Sequence, residues 1–155
     1  MNTIIKNILL VDDSPNDVTL IKAGLREAHF ANEIVVAEDG EEALDILYQR
    51  GKYAGSTNEK PIFILLDIKL PLMNGIEVLK VIRADSSFNN VPIIMLTSSR
   101  DTHDLQDCYD NGANSFVVKP VNITDFMEVV KDVGQYWVVI KECAMNCLLH
   151  AAEQC

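Results

Sequence analysis

Positive charge is what this sequence has least of. Thirteen Lys and Arg stand against 23 Asp and Glu in 155 residues, a formal net charge of -10. Nothing gathers the cations into the patch that phosphate neutralisation needs, so nucleic acid is excluded as a partner, and cations or basic protein surfaces suit the chain better. Long hydrophobic runs are missing as well. The opening "MNTIIKNILLVDDSP" has its apolar run broken by Lys6 and closed by two aspartates, which fits neither a signal peptide nor a membrane span. No membrane association and a cytoplasmic location are expected. Cysteines are few and uneven, at Cys108, Cys143, Cys147 and Cys155, a spread that favours free thiols in a reducing compartment. Cys143, Cys147 and His150 are spaced so that one helix face could present them to a metal, although small buried thiols on an apolar helix are the preferred reading. Internal repeats and low-complexity tracts are absent.

What the sequence does have is a repeating alternation. "KNILLVDD" is a short apolar run, after which Val18, Ile21, Leu25 and Ala28 recur at helical spacing. Ser14, Pro15 and Asp17 form a helix start: an N-cap, a first-turn proline and a first-turn acid. "EIVVA" then precedes "GEEALDILYQR", "PIFILLD" precedes "GIEVLKVIRA", "VPIIMLT" precedes "DTHDLQDCYDNG", and "SFVVKP" precedes "ITDFMEVVKDV". Buried β-rich runs alternating with helices imply a parallel sheet covered on both faces. Five such units predict an α/β fold, a doubly wound five-stranded parallel sheet of flavodoxin-like order 2-1-3-4-5. The length suits one core, and 48% hydrophobic residues are enough to fill it.

Two segments lie outside this pattern. "GKYAGSTNEKP" is polar and turn-rich, and reads as a loop extension. Beyond the fifth helix, Phe126, Val130, Val133, Trp137, Ile140, Ala144, Cys147 and Ala151 alternate by four and three, a heptad-like seam interrupted by Gly134. The domain organisation expected is residues 1–134 as one unit and 135–155 as a C-terminal extension, packed either on the chain's own surface or against a partner such as a second copy.

In open α/β sheets ligands collect at the carboxyl edge of the strands. Here the first strand ends in Asp12 and Asp13, the third in Asp67, the fourth in Thr97 and Ser98, and the fifth in Lys119. Three converging carboxylates repel one another unless a cation sits among them, and their hard oxygens suit Mg²⁺. Thr97 and Lys119 would add a hydroxyl donor and a positive charge for phosphate oxygens, leaving Asp67 as a carboxylate nucleophile. Each residue has a plainer explanation alone: a cap, an ion pair, a β-propensity choice. Together, in chain order at successive strand ends, they favour a phosphoryl site.

The stretches "LLVDDSPND", "LLDIKLPLMNG", "IIMLTSS" and "FVVKP", spread over about residues 5 to 133, resemble the receiver domain of two-component response regulators. The resemblance implies that Asp67 accepts a phosphoryl group and that Asp12 and Asp13 hold Mg²⁺ with the backbone carbonyl of Lys69. It also implies that Thr97 is the switch hydroxyl, Lys119 the phosphate-pairing lysine on a cis Lys119–Pro120 bond, and Phe116 the switch aromatic, here without a tyrosine hydroxyl. "YQRGKYAGSTNEKP", "IRADSSFNNVPIIMLTSS" and "DFMEVVKDVGQYW" are similar to stand-alone regulators paired with phytochrome-type sensor histidine kinases. The implied function is phosphoryl acceptance from such a kinase, with output by contact with a downstream protein or by phosphorelay, and a homodimer through the fifth helix and the extension as one possibility. The protein would be a signalling domain, not an enzyme beyond self-phosphorylation from small donors and autodephosphorylation. The rivals are a haloacid dehalogenase-like phosphatase, which needs an Asp where Lys69 stands, a flavin or nucleotide module, which needs a Gly-rich loop where "VDDSPND" stands, and a non-phosphorylated receiver-like adaptor.

Overall fold

Five apolar stretches with no room for a polar face become the strands: β1 (Ile8–Val11), β2 (Ile34–Ala37), β3 (Phe63–Asp67), β4 (Ile93–Thr97) and β5 (Ser115–Val118). The structure, a computed structural model, describes residues 6–55, 60–98 and 102–132. Each strand is followed by a helix: α1 (Pro15–Glu27), α2 (Gly40–Tyr48), α3 (Gly75–Ala84), α4 (Thr102–Asp110) and α5 (Ile123–Asp132). All strand pairs are parallel and the order is β2-β1-β3-β4-β5, as the alternation predicts. The reversal of direction between β1 and β3 puts a crevice at the carboxyl ends of these two central strands.

Because successive strand side chains face opposite ways, each strand feeds two cores. Leu9 and Val11, Ile64 and Leu66, and Ile93 and Met95 pack with Leu44 of α2, Leu79 of α3 and Cys108 of α4. Ile8 and Leu10, Phe63 and Leu65, and Ile94 and Leu96 pack with Ile21 and Leu25 of α1 and Phe126 of α5. On the second face Phe30, Phe63 and Phe126 meet edge-on or tilted, with ring centroids 5.8, 6.2 and 5.9 Å apart. Each ring so buried contributes about 2–3 kcal/mol relative to exposure. Phe126, the first residue of the heptad-like seam, is therefore spent on the chain's own core.

Helix starts follow the capping expectation. Ser14 Oγ accepts the Asp17 N–H at 3.3 Å, Asp39 the Glu42 N–H at 2.7 Å, and Asn74 the Glu77 N–H at 2.9 Å. On the far side of β5, Arg83 of α3 donates to the carbonyls of Gly112, Phe88 and Val91 and to Asn114 Oδ1 at 2.7–2.9 Å, pinning the turn that launches β5. The turn-rich extension begins with a short 3₁₀ turn at Gly51–Tyr53. Among the described residues no helix is long and apolar enough to cross a membrane. Trp137, Ile140, Cys143, Ala144, Cys147, His150 and Ala151, with the extension 135–155 and any metal or dimer contact through it, lie outside the described residues.

Candidate functional site at the carboxyl edge

The register of the sheet brings the acidic strand ends together. β1 and β3 are neighbours, Val11 pairing with Leu66, so Asp12 and Asp67 emerge side by side. By alternation both point to the α1 and α5 side, the side from which Lys119 arrives after β5. Both are buried, at 1% and 6% exposure. Asp13, one residue on, faces solvent. Asp12, Asp13 and Asp67 each place one carboxylate oxygen within 4.8 Å of the others.

Lys119 Nζ is set into this group. It lies 2.9 Å from Asp67 Oδ2, 2.7 Å from Asp12 Oδ2 and 3.0 Å from Asp17 Oδ2. Its backbone is fixed by the N–H donating to Thr97 O at 2.7 Å, and the Lys119–Pro120 peptide is cis. Burial pulls the Lys119 ammonium down, but the carboxylates of Asp12, Asp67 and Asp17 around it outweigh that and the net shift is upward. Asp67 does not show the matching fall. Burial raises its carboxyl, the charge of Asp12 adds to that, and the Lys119 ammonium together with the Lys69 N–H at 3.2 Å offsets only part. One ammonium shared with two other carboxylates does not offset the desolvation of Asp67.

Asp12 Oδ2 carries a further mark. Although 2.7 Å from Nζ, it is fully buried and has no hydrogen bond of acceptable geometry, so the contact is an ion pair in distance only. The other oxygen, Oδ1, accepts the Ser14 N–H at 2.9 Å. A buried carboxylate oxygen without a hydrogen bond, in an all-oxygen cluster that holds more negative charge than one lysine balances, fits a hard divalent cation.

Thr97 closes β4, buried at 4% exposure, one residue beyond the Asp67 partner Leu96. Ser98 follows it and is exposed. Phe116 pairs with Met95 across β4 and β5 and shares the α4-side face with Thr97. It is half-buried, with its ring edge-on to Tyr109 of α4 at 6.1 Å. The candidate residues thus fall into an acid pocket of Asp12, Asp13, Asp67 and Lys119, and a neighbouring pair of Thr97 and Phe116 on the opposite face.

Three features of the site escape sequence reasoning. Asp17 reads as an ordinary first-turn acid, yet its side chain reaches Lys119, 102 residues away. Gly75 is a packing necessity: a Cβ there would lie 2.0 Å from the Asp67 carbonyl oxygen, where α3 begins against the end of β3. Between them the chain turns tightly, the Met73 N–H donating to Pro71 O at 2.8 Å about Leu72, whose φ is 68°. That is a γ-turn on a non-glycine residue, and Leu72 is 95% exposed.

A doubly wound parallel sheet whose carboxyl edge joins acids from β1 and β3 to a lysine after β5 defines a phosphoryl-type receiver site, not a nucleotide loop. The chain belongs to the response regulator receiver domain family, whose model matches residues 8–131. It is 32% identical to the response regulator Rcp1 of Synechocystis sp. over 86% of this chain and 89% of that protein. Among solved structures it resembles the bacteriophytochrome response regulator AtBRR, with 42% identity, a TM-score of 0.79, and 85% of this chain and 94% of that one covered. It also resembles the phosphorylated cyanobacterial phytochrome response regulator RcpA, with 33% identity, a TM-score of 0.72, and 87% and 95% covered. Rcp1 itself has been solved in a Mn²⁺-bound form, to which this chain is 32% identical with a TM-score of 0.70 over 85% and 94% of the two chains. The chain is accordingly a response regulator receiver domain of the two-component type.

Proposed function

We propose that Asp67 is the phosphoacceptor of this regulator and that a phosphohistidine on a phytochrome-type sensor kinase is its donor. The observation that carries the reading is Lys119 Nζ at 2.9 Å from Asp67 Oδ2, inside the pocket shared with Asp12 and Asp13. An Asp67 carboxylate oxygen attacks phosphorus, the P–O bond forms, and the P–N bond to the donor imidazole breaks with the electron pair leaving on nitrogen. Asp12, Asp13, Asp67 and the Lys69 carbonyl would hold Mg²⁺, which when bound supplies positive charge to the phosphoryl oxygens. Lys119 offers a second cation to the same oxygens, and Thr97 and Ser98 offer hydroxyl donors.

Phosphorylation adds about -1.5 to -2 charge and three strong acceptors. Thr97 is drawn toward them, and Phe116 turns into the space on its face of the sheet, changing the surface made by α4, β5 and α5. Output then passes through contact with a downstream protein or onward phosphotransfer, in the cytoplasm. A homodimer contact through α5 and residues 135–155 is part of this reading. Sedimentation of the chain cut after Gly134 tests this, with weaker self-association expected and equal association opposed to it.

The haloacid dehalogenase-like alternative is disfavoured because the position two residues past Asp67 holds Lys69, which is exposed and cannot serve as an acid/base carboxyl. The phosphoacceptor reading is tested by mixing the protein with acetyl phosphate and Mg²⁺ and weighing it intact. A gain of one phosphoryl group is expected in the wild type and none in Asp67→Ala; a gain in both rejects the assignment.

A further inference from the structure

Helices that open with Ser at the N-cap and an acid at the third helical position commonly close a reciprocal box, in which the acid returns to the N–H of the cap residue. α1 makes half of this box. Ser14 Oγ accepts the Asp17 N–H at 3.3 Å, but the Ser14 N–H is already given to Asp12 Oδ1 at 2.9 Å. The Asp17 carboxylate is not needed at its own cap. It turns to the end of β5 and accepts a hydrogen bond from Lys119 Nζ at 3.0 Å. Of the three carboxylates on that ammonium, Asp12 and Asp67 belong with Asp13 to the cluster that fits a cation, and Asp17 does not.

We infer that Asp17 is a positioning residue that competes with the phosphoryl group for Lys119 and so limits how tightly the phosphorylated state is held. The inference rests on the phosphoacceptor reading of Asp67. Once Asp67 is esterified it loses its own charge, and a cation among the acids takes up much of the charge of Asp12. Both then release their claim on the ammonium. Asp17 keeps its full charge and its hydrogen bond, so Lys119 reaches a phosphoryl oxygen only against that pull. The same carboxylate also repels the phosphoryl dianion. Its side chain is 31% exposed, so solvent screens part of the effect.

Asp17→Asn tests this by removing the charge while keeping the size and one acceptor oxygen. Affinity for beryllofluoride, a phosphoryl mimic, is measured by calorimetry in saturating Mg²⁺, alongside affinity for Mg²⁺ alone. The variant is expected to bind beryllofluoride about three- to tenfold more tightly, the size expected of a partly screened charge. Its affinity for Mg²⁺ alone should not rise, and Asp17→Glu should return beryllofluoride binding toward the wild-type value. A purely structural role would move the melting temperature and leave these affinities in place. Unchanged or weaker beryllofluoride binding by Asp17→Asn, with the wild type binding normally, overturns the inference. So does a rise in Mg²⁺ affinity as large as the rise for the anion. A wild type that binds no beryllofluoride and gains no phosphoryl mass removes the Asp67 reading itself, and the role of Asp17 falls with it.

Discussion

Lys119 Nζ and Asp67 Oδ2 lie 2.9 Å apart, joining two strand ends separated by 52 residues of chain and a third strand between them. Asp67 is buried and Lys119 nearly so, with 8% and 11% of the two side chains exposed. Its geometry makes the acid pocket sensitive to loss of either charge.

Replacement of Lys119 by alanine leaves Asp12 and Asp67 buried without their shared cation. Breaking a buried pair in this way typically costs about 3–5 kcal/mol, and the edge position of this one lowers the expectation to roughly 2–4 kcal/mol. Urea unfolding without divalent ions should show that loss for Lys119→Ala. Millimolar Mg²⁺ should restore more stability to the variant than to the wild type, because the cation takes over the neutralising role.

Gly75 allows α3 to start directly against the end of β3. In Gly75→Ala the new Cβ would lie 2.0 Å from the Asp67 carbonyl oxygen, a backbone atom with no freedom to withdraw. A stability loss of about 3 kcal/mol is expected, the range of overpacking in a tight site. Thermal denaturation measures it, and a weaker Mg²⁺ affinity should accompany it as the β3–α3 connection shifts.

Leu72 is the opposite case. Its φ of 68° strains a side chain that is 95% exposed and has little packing to lose. Leu72→Gly should therefore raise the unfolding free energy by about 0.5–1 kcal/mol in urea, after glycine's greater unfolded-state entropy is set against the relief.

Cys108 supplies a pH dependence. Burial first, then the charges of Asp104 and Asp107, push its thiol up to about 11. The unfolded thiol ionises near about 8.5, so the folded state holds its proton to higher pH. Stability from the protonated thiol is complete below that value and is lost as pH rises toward 11. The fall in urea midpoint between pH 8 and pH 10.5 should be shallower in Cys108→Ala than in the wild type.

The sheet was legible because its signal is a period. Five apolar runs alternating with amphipathic helices leave one compact solution, and the aspartates and lysine at the run ends need no side-chain detail to be placed at one edge. Asp17 was not legible in the same way. At the third position of a helix an acid has a sufficient local reason, and its redirection depends on Asp12 having taken the Ser14 N–H, a competition between two hydrogen bonds. Gly75 and Leu72 escape because close backbone approach and a γ-turn leave no periodic trace. Phe126 was ambiguous for a related reason: helical spacing shows that it wants cover, and only the rings of Phe30 and Phe63 show which cover it has.

The central claim is that Asp67, and no other acid of the pocket, carries the phosphoryl group. Borohydride reduces an aspartyl phosphate to homoserine, so treatment of the phosphorylated protein followed by peptide sequencing in a mass spectrometer reads the site directly. Homoserine at position 67 alone is the predicted result. Homoserine at position 12, 13 or 17, or an unmodified pocket in protein that has gained phosphoryl mass, would contradict the account.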